Sequence, residues 1–121
     1  MWFKRTGLRS TYQGLINNGY GNYGSWEIRM GREQSGQMIG GGVLTTGSPT
    51  LWDYVGIKAT FNHWHHVVMT YNGTHLDFYL DNAKQKAAKA CCQGDIVTKA
   101  TEVVIGQAGP GSGNEFFYGY I

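Results

Sequence analysis

The sequence predicts an all-β protein, an antiparallel sandwich or barrel, and three observations carry that prediction. Apolar and polar residues alternate with period two, and short candidate strands recur at roughly 8–12-residue spacing. Glycine is the third: 19 of 121 residues, against a usual share of about 7%, with only 2 prolines and 14% aromatics. Many tight turns between aromatic-rich strands fit that balance.

Taken along the chain, Trp2-Phe3-Lys4-Arg5 and residues 11–16 are short candidate strands. In Ser25-Trp26-Glu27-Ile28-Arg29-Met30, the residues Trp26, Ile28 and Met30 share one face, and Glu27 and Arg29 are expected on a wet one. Residues 37–44 and 54–59 follow as weaker candidates. Trp64-His65-His66-Val67-Val68-Met69-Thr70-Tyr71 is apolar on both faces, which predicts a central strand. Leu76, Phe78 and Leu80 then alternate with polar neighbours. Asn72-Gly73 between the two strands predicts a type I′ hairpin turn, since both residue types tolerate positive φ. Residues 83–90 carry helix-favouring Ala and Lys, but their neighbours argue for a strand or loop. Residues 102–105 and 116–121 complete the set. One domain over residues 1–121 is expected.

Composition excludes several classes. The net charge of +2 is small and scattered, which argues against a nucleic-acid partner. Charged residues at 15% and abundant aromatics exclude intrinsic disorder. No run approaches the roughly 20 apolar residues of a membrane span. Met1-Trp2-Phe3-Lys4-Arg5 lacks the apolar run of a signal peptide. Cys91 and Cys92 are adjacent, too strained to bridge each other and too few for a zinc site, so they read as free thiols. Gly40-Gly41-Gly42 and Gly109-Pro110-Gly111 do not lead a strand into a helix, as a phosphate loop would. Asn72-Gly73-Thr74 fits the glycosylation pattern, but the hairpin turn explains it.

Trp64 to Gly73, followed by Leu76-Asp77-Phe78-Tyr79-Leu80-Asp81-Asn82, resembles the central hairpin of the laminin G-like, concanavalin A-like jelly-roll domains. That family reads approximately W-x-H-V-A-x-T-Y-D-G and then L-x-L-Y-V-D-G. Ile105-Gly106 and Phe117-Tyr118-Gly119-Tyr120-Ile121 are similar to its closing F-x-G-x-I strand, and Trp2-Phe3-Lys4 to an early one. The resemblance implies an antiparallel jelly-roll sandwich that recognises carbohydrate or a protein surface, in a family that is mostly extracellular. The family's D-[DE]-V-R-I-Y strand and the segment before Trp2 are missing, so the chain is expected to lack terminal strands. Unpaired edges at residues 116–121 or Trp2–Arg5 would then pair with a second copy, giving a homo-oligomer. Calcium is a family attribute, and Asp53, Asp95, Asn114 and Glu115 are oxygen donors for it.

Candidate chemistry divides three ways. Glucanases of this fold carry E-x-D-x-x-E on one strand, whereas Asp77 and Asp81 are the nearest pair here and Glu27, Glu33 and Asp53 stand apart. Glycoside hydrolysis is therefore disfavoured. His63 and His65 share a strand face and would supply two ligands of a catalytic zinc, with His75 as a third. Against that, His66 fits the family's packed histidine, leaving His63 and His65 at the surface. Aromatic residues in polar loops offer a recognition surface, namely Tyr20 and Tyr23, and Trp52, Asp53 and Tyr54. Sugar C–H faces stack on such rings, although large aromatics also serve as core. A non-catalytic recognition module binding through rim loops is the reading these features favour. A hydrolase or lyase on the same fold and a purely structural oligomerisation domain are the alternatives.

Overall fold

Strands form where β-branched and aromatic residues alternate with polar or small ones. The computed structural model describes residues 1–7, 12–19, 25–31, 38–85, 93–98, 102–108 and 115–121, with the backbone alone for 48–56 and 85. The strands are β1 (Trp2–Arg5), β2 (Gln13–Asn18), β3 (Trp26–Met30), β4 (Met38–Thr45), β5 (Ser48–Lys58), β6 (Trp64–Tyr71), β7 (Leu76–Leu80), β8 (Ala83–Gln85), β9 (Val104–Ile105) and β10 (Gly119–Tyr120). They build two antiparallel sheets, ordered β10-β1-β6-β7-β8 and β5-β4-β3-β2-β9. Among the described residues there is no helix, and so none long and apolar enough to cross a membrane.

The two sheets face each other over one core. Phe3, Val67, Leu76, Phe78 and Leu80 enter it from the first sheet, and Leu15, Ile28, Met30, Ile39 and Val43 from the second. Gly41 faces the opposite sheet, where a Cβ would strike Met69 and Phe78, so its bare backbone permits the close approach. Strand β6 lies mid-sheet, as its two apolar faces require.

Several expectations change. The β6–β7 connection occupies residues 72–75 rather than a two-residue turn, and of the expected pair only Gly73 has positive φ, at 95°. Asn72 Oδ1 accepts hydrogen bonds from the backbone N–H of Thr74 at 3.1 Å and of His75 at 2.9 Å. The asparagine side chain thus replaces the backbone geometry of a type I′ turn. The two-residue turn lies one hairpin later, where Asp81 (φ 52°) and Asn82 (φ 68°) join Leu80 to its partner Ala83. Strand β5 runs 11 residues, well beyond 54–59, because β4 pairs along most of it. Residues 116–121 yield only Gly119–Tyr120 as strand, with Phe116 bridging to Gln107. Strand β1, expected to be free for a second copy, already has β6 on one side and β10 on the other. Cys91, Cys92 and residues 86–90 lie outside the described residues.

Candidate functional site

Alternation along β1 sends Phe3 and Arg5 into the sandwich and leaves Trp2 and Lys4 on the outer face. Strand β6 does the same with His65 and Val67 inside and Trp64 and His66 outside. The register sets Trp2 opposite His66, and Lys4 opposite both Trp64 and Tyr120. Three large rings therefore share one sheet face, Trp2 at 59% exposure, Trp64 at 52% and Tyr120 at 60%. Trp2 and His66 rings lie 4.9 Å apart between centroids, and Trp64 and Tyr120 6.4 Å apart. Tyr79 extends the face onto β7. Large exposed rings gathered on one sheet face make it the candidate contact surface.

A family model described as the concanavalin A-like lectin/glucanases superfamily matches residues 1–121. The chain belongs to that superfamily. No match was found among curated proteins or among solved structures.

On this concanavalin A-like sandwich the sequence-derived candidates scatter. Tyr20 and Tyr23 lie outside the described residues. Trp52, Asp53 and Tyr54 stand in β5, an edge strand, with Asp53 opposite Val43 and Tyr54 opposite Gly42, and not in a rim loop. His65 and His66 exchange their expected roles. His65 is the buried one, its Nδ1 donating to Asp81 Oδ2 at 2.7 Å and its Nε2 lying 3.2 Å from Thr60. His66 is outside beside Trp2, because Phe3 and Val67, not Trp2 and Trp64, fill the core. His63 is exposed, and His75 stands at the far end of the hairpin, opposite Asn72, about 20 Å along the strands from His65. The three histidines are not brought together, and no metal-holding group of three or more His, Cys, Asp or Glu occurs among the described residues. Two of the calcium donors separate, while Asn114 and the Asp53 side chain lie outside the described residues. Asp95 lies by Thr46, whereas the Glu115 backbone binds Gly14, at the other end of the second sheet.

Two further features were not legible as sites. Glu27, expected on a wet face, is 1% exposed, with Arg29 Nε 3.2 Å from its Oε1. Burial outweighs the pull of the Arg29 guanidinium and, with a further push from Glu115, raises its carboxyl to about 7. Its Oε2 and the Oδ1 of Asn17, directly opposite on β2, have no hydrogen-bond partner among the described residues. The second feature is an apolar cleft of about 460 Å³ between the sheets, walled by Trp26, Ile28, Val43, Val67, Met69 and Ile96. Lining residues more than fifty positions apart compose it, so no local pattern reveals it.

The aromatic face was missed for a simpler reason. In Trp2-Phe3-Lys4-Arg5, period two offers two opposite phases, and the alternation does not say which is inner. The usable signal was Lys4, which shares a face with Trp2 and favours solvent.

Proposed function

We propose that this domain is a non-catalytic recognition module that binds carbohydrate on the outer face of β10, β1 and β6. The observation that carries the reading is the exposure of Trp2, Trp64 and Tyr120 on one sheet surface. Such rings present flat apolar surfaces to the C–H faces of sugars, while Lys4 and His66 stand beside them to meet hydroxyl and acidic groups. Both tryptophans are held by sheet backbone, so little ordering accompanies binding. No covalent step is involved. Superfamily membership supports the reading, since many of its members recognise carbohydrate or protein surfaces.

Titration against a panel of soluble polysaccharides, followed by tryptophan fluorescence and calorimetry, tests this. Trp64→Ala is expected to weaken binding about tenfold or more. If Trp52→Ala abolishes binding and Trp64→Ala does not, contact runs through the residues first read as rim loops. Silence across the panel defeats the reading. Sedimentation of the same samples reports whether edges such as β5, β8 or β10 pair with a second copy.

The enzymatic alternative finds one supporting observation in Glu27, which retains a proton near neutral pH as a general acid must. At 1% exposure it gives a substrate no surface to touch.

A further inference from the structure

We infer that the ligand of the aromatic face is an acidic polysaccharide, with a uronate carboxylate meeting Lys4 while its sugar rings lie on Trp64, Tyr120 and Trp2. This deepens the carbohydrate reading and rests on it.

The position of Lys4 comes first. It stands on the middle strand of the three, opposite Trp64 on one side and Tyr120 on the other. Strands β6 and β10 lie two inter-strand steps apart, about 9.6 Å. The Trp64 and Tyr120 ring centroids are only 6.4 Å apart, so the rings lean towards each other across Lys4. Lys4 is half-buried between them, and a lysine in that position can lay its stem along apolar surface while its ammonium reaches water. A sugar ring stacked there brings the substituents at its rim to the ammonium. In a uronic acid, one of those substituents is a carboxylate attached directly to the ring.

Charge balance on the face points the same way. Asp77 is taken by Lys84 at 2.7 Å. Asp81 is taken by the His65 ring at 2.7 Å and the His66 N–H at 2.8 Å. Lys4 alone among the described charged residues of this face has no carboxylate opposite it. The surface is thus complementary to an anion, and the anion's place is fixed between two rings.

Extent decides between a small sugar and a polymer. From Tyr120 across Lys4 and Trp64 to β7 is three inter-strand steps, about 14 Å, wider than a single sugar ring. One exposed ion pair contributes little by itself, so affinity requires several stacked rings along one chain.

The test uses the full chain with polygalacturonate, alginate and the methyl esters of both, in which the backbone is unchanged and the carboxylate is masked. Calorimetry at low salt is expected to give about fivefold tighter binding of the free acids. That preference should vanish in Lys4→Gln, persist in Lys4→Arg and shrink at 0.5 M salt, while Trp64→Ala weakens acid and ester alike. Thermal melts confirm that each variant is folded. Equal affinity for acid and ester, or a preference untouched by Lys4→Gln, overturns the inference and leaves the carbohydrate reading standing. Binding of neutral glucans but of neither uronate overturns it as well. No binding to any polysaccharide overturns both, and capture of polyglutamate in their place reassigns the face to an acidic protein partner.

Discussion

The ring of His65 and the carboxylate of Asp81 lie 2.7 Å apart, joining a buried position at the start of β6 to an exposed turn residue after β7. The other carboxylate oxygen accepts the His66 N–H at 2.8 Å, and the Asp81 N–H returns a bond to the His66 carbonyl. One aspartate thus anchors two successive residues of β6, one facing the core and one beside Trp2. The phase that puts Trp64 and His66 outside is held here as well as by the hydrophobic core.

Removing that anchor should loosen the hairpin. Asp81→Ala is expected to cost about 1 kcal/mol in urea denaturation, since the bonds are partly solvated. It also places alanine at a φ of 52°. Asp81→Asn should cost less, because asparagine tolerates that backbone and retains one acceptor. Desolvation pushes the Asp81 carboxyl up, but the hydrogen bonds and charges of His65 and His66 outweigh it and hold it below its ordinary value. Its contribution is therefore present above the ordinary value of 3.8 and lost as pH falls through the lower, folded one. An alanine variant as stable as the parent at pH 7 contradicts the role assigned.

Glu27 runs in the opposite direction. Its carboxyl is raised from 4.5 to about 7 in the folded protein, so between those values the native state holds the extra proton. Stability should fall as pH rises from 4.5 to 7 and level off above, by up to about 3 kcal/mol from this group. Glu27→Gln should flatten that slope. Parallel pH profiles for parent and variant would show that the burial assigned to Glu27 is wrong.

Gly14 offers a test of the packing between β2 and the chain after β9. A Cβ there would meet the backbone of Gln107 and Ala108, and the Gly14 N–H is already bonded to the Glu115 carbonyl at 3.0 Å. Gly14→Ala is expected to cost about 1–3 kcal/mol in thermal or urea unfolding. Gly31, which has open space around its Cβ position, should accept alanine without a comparable loss. Equal effects at the two positions count against the packing described.

Local periodicity was legible in the chain, and with it the all-β class, the β6–β7 hairpin and the near boundaries of β1, β3 and β7. Each rests on neighbours within a few residues, such as Leu76, Phe78 and Leu80 alternating with polar partners. Which of its two faces a strand buries was settled only by the packing of the sheets, and there His65, His66 and Glu27 departed from expectation. Alternation defines two faces without naming the inner one. That choice falls to residues far away in the chain: Phe3 and Phe117 meet in the core, and Tyr120 reaches Lys4 across more than a hundred positions. The aromatic face exists only once those distant strands lie side by side.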